Sequence, residues 1–315
     1  MDPIRVGVVR GGSNIKGYQK SISDGSIILR ALREHPNYIP CDILIDKDEI
    51  WHLDGLPIIP SDLLNKVDIV ISTILYPLNQ NGYVENLIKN FGITCIHTPK
   101  NALRGYIPET LRDKISSVGV RMPKFLEINP NDTDLPKKIH QTFSPPYSLV
   151  AKDAVDNVYH ISNVKSINEL IEILNNEDFG SNKYILEEYI PGDKWAVTIM
   201  PNFRETIWYT LHPVYLGTIN PAFRSAIKPS RSAESKFASP TVRESLDLYS
   251  KLVSGSINPS VPTTFVFHHT ENKKPVLFRI INQHMLGDNE ELLQALKESF
   301  ITESEYLDRI LREYL

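Results

Sequence analysis

The only thiols in the sequence belong to Cys41 and Cys95. Each cysteine lies within an apolar, strand-like stretch, and burial there disfavours the thiolate form that acts as a nucleophile or metal ligand. A small secreted protein held together by disulfide bonds usually carries more cysteines at regular spacings. We therefore predict that both side chains are reduced and belong to the core.

Polar side chains with potential for binding or catalysis occur at the ends of predicted strands. They are Lys152, Glu187, Glu188 and Asn282. Residue type and spacing alone give these positions ordinary roles, namely a solvated lysine, the exposed edge of a strand and a turn asparagine. A functional role for any of them depends on the wider pattern of the chain.

Two adjacent histidines, His268 and His269, are tempting as metal ligands. Imidazole is a poor ligand for the hard cation Mg²⁺, and neighbouring residues of a strand point to opposite faces of the sheet. The pair therefore cannot share one site in a regular strand. We expect one histidine to be exposed and the other to have its hydrogen bonds satisfied inside the protein.

The surrounding sequence predicts the elements that position these residues. Up to residue 96, short apolar strands alternate with helices, the pattern of a parallel sheet covered by helices. The stretch Thr218 to Ala238, rich in Ser, Pro, Lys and Arg, is predicted to be a long surface loop. The predicted strands are 4–9, 42–46, 67–72, 93–96, 147–152, 158–161, 183–190, 195–200, 207–211, 264–268 and 276–281, and the predicted helices are 21–33, 83–90, 108–118, 166–175, 241–253, 290–300 and 303–314.

The composition is typical of a soluble globular protein. Of 315 residues, 41% are hydrophobic, enough to bury the cores of two or three compact units. The 34 basic and 38 acidic side chains are spread along the chain and give a formal net charge of −4, so we expect no nucleic-acid or membrane partner. The sequence contains neither a signal-peptide pattern nor an apolar run of roughly 18 residues, and we expect a cytoplasmic protein.

Four motifs follow one another along nearly the whole chain. Residues 6–13 (VGVVRGGS) form a strand and glycine turn, and a Ser-Gly helix follows at 23–26. Residues 81–88 (NGYVENLI) form a turn that leads into a helix, 183–192 (KYILEEYIPG) form a strand with paired glutamates, and 277–282 (LFRIIN) form a late strand. In this order the motifs resemble those of the D-alanine:D-alanine ligase family of the ATP-grasp superfamily.

The resemblance implies an ATP-grasp fold of mixed α/β and α+β type. It implies an N-terminal parallel α/β (pre-ATP-grasp) domain at residues 1–96. Two α+β subdomains, a central one at 97–182 and a C-terminal one at 183–315, would enclose a nucleotide cleft. The family precedent also implies a homodimer formed through the N-terminal domain.

The family's reaction implies particular ligands and site residues. In that reaction ATP phosphorylates a carboxylate, and an amine attacks the acyl phosphate, with Mg²⁺ as cofactor and small-molecule substrates such as amino acids. By position, Lys152 resembles the lysine on the ATP phosphates, and Asn282 resembles a metal ligand. The segment that contains Glu187, Glu188 and Ile190 resembles the hinge that meets the adenine.

Several positions depart from the family pattern. The metal-binding glutamate aligns with Ile280, and the aspartate that precedes it falls near Phe267; neither side chain binds Mg²⁺. The glutamate that receives the ribose hydroxyls falls near Lys194, a reversal of charge. An alignment shift of one or two residues would bring an acid to the metal site from among Asp288, Glu290 and Glu291.

Two further departures concern the phosphates. The loop that covers the triphosphate in the family is replaced by residues 153–158 (DAVDNV), which contain two acids and no glycine. The upstream phosphate-binding lysine falls near Thr110, with Arg112 and Lys114 as replacements one turn away. Three hypotheses therefore stay open: an ATP-dependent carboxylate-amine ligase, a catalytically lapsed descendant (a pseudoenzyme) with a different ligand or partner, and a scaffold that binds nucleotide weakly without turnover.

Overall fold

A computed structural model describes the chain at residues 3–12, 15–74, 82–97, 107–129, 132, 134–152, 158–176, 184–219, 236–269, 274–282, 286 and 290–315. The chain divides into two compact units. Unit 1 comprises residues 1–102 and 283–315, and unit 2 comprises residues 103–282. Within the described ranges, no helix is long and apolar enough to cross a membrane.

Unit 1 begins with alternating strands and helices. These are β1 (Ile4–Gly11), α1 (Ile15–Arg33), β2 (Tyr38–Ile45), β3 (Trp51–Leu53), β4 (Leu56–Ile58), a short 3₁₀ helix (Pro60–Leu63), β5 (Ile69–Ser72), α2 (Tyr83–Asn90) and β6 (Thr94–Ile96). The sheet has the order β4-β3-β2-β1-β5-β6, in which β1, β2, β5 and β6 run parallel. The predicted parallel α/β arrangement of this region is confirmed.

The antiparallel hairpin of β3 and β4 is not among the predicted elements. Its turn residues, Asp54 and Gly55, have positive φ angles of 49° and 87°. Two consecutive positive φ angles match the twist of a two-residue hairpin, and Asp-Gly is a preferred sequence for such a turn. Both cysteines lie buried and unbridged in this unit, which confirms the prediction of core thiols.

Unit 2 contains two antiparallel sheets with helices packed against them. Its elements are α3 (Glu109–Ser117), β7 (Phe125–Ile128), α4 (Leu135–Thr142), β8 (Tyr147–Lys152), β9 (Val158–Val164), α5 (Ile167–Asn176), β10 (Tyr184–Glu188), β11 (Gly192–Phe203), β12 (Thr206–Thr210), β13 (Val214–Ile219), α6 (Pro240–Ile257), β14 (Thr263–His269) and β15 (Val276–Asn282). The first sheet has the order β7-β10-β8-β9. The second has the order β12-β11-β14-β15, and β13 also pairs with β11.

Each sheet of unit 2 buries one face against helices. Apolar residues of α4 and α5 share a core with the first sheet. Apolar residues of α3 and α6 share a core with Trp195, Val197, Phe265 and Phe267 of the second sheet. Because side chains alternate along a strand, the residues between these four point to the opposite face. We call it the open face because α3 and α6 do not cover it, although Ala196 and Val266 on it are buried.

The chain ends with α7 (Glu290–Glu298) and α8 (Glu303–Arg312), which belong to unit 1. Helix α8 contacts α1, and the Tyr38 hydroxyl donates a hydrogen bond to Asp308 at 2.8 Å. The predicted division into 1–96, 97–182 and 183–315 stays a prediction.

The predicted loop from Thr218 to Ala238 is only partly within the described residues. Thr218 belongs to β13, which ends at Ile219, and Ala238 precedes α6. Residues 220–235 of the predicted loop lie outside the described ranges.

Candidate functional site

Strand β10 contains the paired glutamates of the predicted hinge and lies inside the first sheet of unit 2, between β7 and β8. Glu187 is buried, with 4% of its surface exposed, whereas Glu188 is partly exposed. The two side chains alternate across the strand and therefore face different surroundings. Lys152 is the last residue of β8, and its side chain lies outside the described part of the structure.

The buried Glu187 is held by an arginine of α3. Arg112 Nη2 lies 3.5 Å from Glu187 Oε1, and the same guanidinium donates hydrogen bonds to the carbonyl oxygens of Ile107 and Pro123. Burial raises the pKa of Glu187, while Arg279 and then Arg112 oppose that rise. A buried carboxylate is stabilised by such charged partners, so Glu187 faces a positively charged environment.

Glu188 lies on the other side of β10. Arg121 Nη2 donates to Glu188 Oε1 at 2.7 Å, and the backbone N–H of Lys124 donates to Oε2 at 3.3 Å. Glu188 also lines a pocket of about 370 Å³ together with Lys124, His140 and Tyr189. The two hinge glutamates therefore do not converge on one point.

The histidine pair behaves as the alternation of a strand requires. His268 is buried and pairs its Nδ1 with the carbonyl oxygen of Ile190 at 2.9 Å, so this nitrogen is the protonated one. Its ring stacks on Phe278 with the centroids 3.5 Å apart. Burial lowers the pKa of His268, which is neutral at pH 7. His269 is partly exposed, and the expectation that one histidine is satisfied internally is confirmed.

The open face of the second sheet has two cations, of which Arg279 lowers the pKa of Glu187. Lys194 of β11 stands directly opposite His268, and Arg279 of β15 stands opposite Val266 on the other side of β14. Burial lowers the pKa of Lys194 to about 7, and the positive charge of Arg279 contributes to the decrease. No carboxylate of the described residues forms an ion pair with Lys194.

Solved structures of known proteins match the fold of this chain. The VanG D-Ala:D-Ser ligase from Enterococcus faecalis matches with a TM-score of 0.70 and 14% identity over 100% of both chains. D-alanyl-alanine synthetase A from Vibrio cholerae O1 biovar eltor has a TM-score of 0.71 and 16% identity over 99% of this chain and 98% of that one. The chain has the ATP-grasp fold of D-alanine-D-alanine ligases.

A third match is a structure solved with ATP. It is the D-alanine-D-alanine ligase from Bacillus anthracis complexed with ATP, which has a TM-score of 0.63 and 17% identity over 98% of this chain and 96% of that chain. No family model and no curated protein matches the sequence. The ATP-grasp fold predicted from the order of the motifs is thus confirmed by structure.

The residues described on the open face do not fit the Mg²⁺ ion that many ATP-grasp reactions need. Mg²⁺ prefers carboxylate and carbonyl oxygens, and the described residues contain no cluster of three or more His, Cys, Asp or Glu side chains. Ile280 and Phe267, aligned with the metal ligands, are fully buried in the core shared with α3 and α6. Lys194 and Arg279 would instead repel a divalent cation.

On β15 the open face presents Arg279, whereas the alignment with the family pointed to Ile280. The pairing of β14 and β15 shifts by one residue between Val266 and Phe267, and in the regular stretch 279–282 of β15, Ile280 pairs with Phe265. Arg279, its neighbour, occupies the open face instead, a site residue that the sequence comparison missed although it is a lone charge within an apolar strand. Asn282, the last residue of β15, lies two positions after Ile280 and so on the same side of the strand; its role as a metal ligand stays a prediction.

The residues predicted as replacement phosphate or metal ligands are spread over both units. Arg112 is buried beside Glu187, as described above, whereas Lys114 is exposed on α3. Glu291 belongs to α7 in unit 1, and the side chain of Glu290 lies outside the described part. Asp288 and the acidic segment 153–157 lie outside the described residues as well.

Proposed function

We propose that the chain is a ligase-like ATP-grasp protein that binds a small anionic ligand at the open face of unit 2 and no longer catalyses ligation. The observation that carries this proposal is the charge of that face. Lys194 lies where the family resemblance leads one to expect the carboxylate that receives the ribose hydroxyls. Arg279 adjoins the aligned metal-ligand position Ile280, and Ile280 and Phe267 are core residues.

The chemistry of phosphoryl transfer explains why this charge matters. Transfer of a phosphoryl group to a carboxylate depends on positioning and on cations that neutralise the charge that develops on phosphate oxygens. Mg²⁺ supplies that charge when carboxylates hold it. A face that offers an amine and a guanidinium still attracts an anion, but it lacks ligands for the metal. Binding without ligation follows from this difference.

The second candidate is an active ATP-dependent carboxylate-amine ligase that acts through an acyl phosphate. The specific observation in its favour is the match to solved ligases over 94–100% of both chains. In this case Lys152 would contact phosphate, the segment with Glu187, Glu188 and Ile190 would contact adenine, and Asn282 would help to bind Mg²⁺. The substrates would be an amino acid or another carboxylate, and an amine.

The test separates the two candidates by turnover. Phosphate release is measured with Mg-ATP in the presence and absence of D-alanine and of a panel of other amino acids, and calorimetry measures nucleotide affinity. We expect no phosphate release that depends on an amino acid. Saturable, amino-acid-dependent release would refute the lapsed function and support the ligase. Lys152→Ala, compared with the exposed control Lys165→Ala, reports whether Lys152 contributes to any nucleotide binding that is observed.

A further inference from the structure

We propose that Phe300 and the groove beside it form a surface on which a second copy of this chain docks. The groove is bounded by the end of α1, by α7 and by the start of α8, and it lies within unit 1. In the proposed dimer a two-fold axis relates the copies, so each Phe300 inserts into the groove of the other copy. The inference goes beyond the proposed function and does not depend on it, because it uses no residue of unit 2.

Phe300 follows the end of α7 in a backbone conformation that favours glycine. The backbone N–H of Ile301 donates to the carbonyl oxygen of Leu296 at 3.0 Å, and the N–H of Phe300 donates to that of Lys297 at 3.2 Å. These two hydrogen bonds form a Schellman cap, in which a left-handed residue, usually glycine, closes the helix. Phe300 occupies that position with a φ angle of 54°, and a bulky side chain there strains the backbone.

The side chain of Phe300 gains nothing from this position within one chain. It is 91% exposed, the largest exposed fraction among the large hydrophobic residues that the structure describes. The ring therefore contributes little burial energy to offset the strain of its backbone. Strain that the fold itself does not use is a sign of function, and exposed aromatic side chains are typical of protein interfaces. Both features indicate that Phe300 is buried by a partner.

A groove of about 600 Å³ opens beside Phe300. It is lined by Ile301 and Thr302, which follow Phe300 in the chain, and by Leu293 and Leu296 of α7. The groove thus offers apolar side chains and a volume that exceeds that of one phenyl ring. Because the ring and the groove are adjacent in one copy, a two-fold axis beside them brings each ring to the groove of the other copy. This is the self-complementary arrangement of an isologous dimer.

The charges on the rim of the groove favour a second copy as the occupant. Arg30 and Glu303 already pair within one chain at 3.1 Å. Glu34, directly after α1, and Lys297 of α7 are exposed on the same rim, and neither forms an ion pair within the described part of the chain. In the proposed dimer Lys297 of each copy pairs with Glu34 of the other, so the pair forms twice. A rim with one free charge of each sign complements itself, whereas a partner of a single charge sign would match only half of it.

The experiment measures self-association of the full chain by sedimentation equilibrium over a range of protein concentrations. We expect a reversible dimer with a Kd on the order of 10 µM, in keeping with a small interface. Phe300→Gly should weaken association by about 100-fold or more, because the dimer loses two aromatic anchors. The control Phe237→Gly removes an aromatic side chain of unit 2 that is 77% exposed, and it should leave the Kd unchanged.

Thermal unfolding separates loss of the interface from loss of the fold. Because glycine adopts a positive φ angle without strain, dilute monomeric Phe300→Gly should have a Tm about 2–4 °C above that of the dilute wild type. A protein that is more stable and yet no longer associates has lost only its interface. Leu293→Asp changes the groove and leaves Phe300 in place, and since Leu293 is partly exposed, this variant should fold and should also associate more weakly.

Charge reversal tests the two-fold pairing. Lys297→Glu should weaken association by about 10-fold, since it sets like charges against each other across the interface, and the addition of Glu34→Lys should restore it. A wild type that stays monomeric up to about 200 µM would overturn the proposal. A dimer whose Kd is unchanged in Phe300→Gly would also overturn it and would place the interface elsewhere, for example in residues 1–96. A double variant that associates no more tightly than Lys297→Glu alone would contradict the two-fold arrangement.

Discussion

Replacing Lys194 by methionine is expected to stabilise the ligand-free protein at neutral and mildly acidic pH. The aliphatic part of the side chain is retained, and the charged group is removed from its partly buried position beside Arg279. When the pKa of a lysine is lowered in the folded state, keeping the lysine charged lowers the free energy of unfolding, because burial disfavours the ammonium form. Methionine carries no charge, so the variant avoids this loss of stability.

The lowered pKa of Lys194 sets the size of the expected gain in the free energy of unfolding. Its decrease from 10.5 to about 7 corresponds to an upper limit of roughly 5 kcal/mol at pH 6. Part of the side chain still reaches solvent, so we expect a gain of about 2 kcal/mol in the free energy of unfolding. For a unit of this size the gain corresponds to an increase in Tm of about 4–8 °C.

The pH dependence of this stability gain follows from proton binding to Lys194. Below pH 7 the amine is charged in the folded and the unfolded protein, and the full unfavourable effect is present. Between about pH 7 and 10.5 the unfolded chain retains the proton that the folded protein has lost, so stability rises with pH. The advantage of Lys194→Met should therefore be largest at pH 6 and should fall to roughly half by pH 8.5.

Calorimetric unfolding of the wild type, Lys194→Met and Lys251→Met at pH 6.0, 7.0 and 8.5 provides the assay. Differences taken at one pH cancel the titration of groups that all three proteins share. Lys251 is exposed, and its replacement should change stability by less than about 0.5 kcal/mol. A gain that does not vary with pH, a loss of stability at pH 6, or an equal gain in the control would refute the burial of a charged Lys194.

Three further predictions concern the face assignments and the core. Ile280→Glu should lower the free energy of unfolding, measured in urea, by about 3 kcal/mol or more without creating Mg²⁺ affinity, because it buries an unpaired carboxylate. The control Arg279→Glu should lower it less. A stable Ile280→Glu protein that binds Mg²⁺ would contradict the strand register. Arg112→Met should lower the free energy of unfolding by about 3 kcal/mol, because Arg112 joins two backbone carbonyls to a buried carboxylate; a change below about 1 kcal/mol would contradict this. Burial raises the pKa of Cys41 and, to about 12, that of Cys95, so alkylation at pH 8 should be at least about tenfold slower in the folded protein than in urea, and equal rates would argue against burial.

Sequence patterns predict much of the fold because apolar periodicity reflects burial directly. Strands β1, β5 and β6 and helices α5 and α8 lie close to their predicted bounds, whereas β2 begins four residues earlier than predicted and α6 ends four residues later. The hairpin of β3 and β4 escapes prediction because each strand has only three residues, too few for a periodic signal, although the Asp54-Gly55 turn marks it. The packing of α8 in unit 1 is a long-range contact that local patterns do not encode.

The candidate site is less predictable, and β15 shows why. A strand's residues alternate between faces, so one irregularity in pairing reverses the face of every residue beyond it. The pairing of β15 with β14 shifts at Phe278, so Leu277 and Ile280, three positions apart, share the core face, and Arg279 lies on the open face. A comparison of residue order finds a lost metal ligand at Ile280. It cannot show which residues of β15 share a face.

The contrast between the buried Ile280 and the charged residues of the open face affects how the departures from the family pattern are interpreted. Loss of an acid to an apolar residue such as Ile280 indicates only that a metal is no longer held. Replacement of an acid by a cation has a direction, and the resemblance implies one such reversal at Lys194, on the same face of the sheet as Arg279. A neutral residue at position 194 would only remove a ligand contact, whereas a lysine there also repels a divalent cation. The charge at Lys194 is therefore a stronger argument for the proposed loss of ligation than the apolar side chain at Ile280.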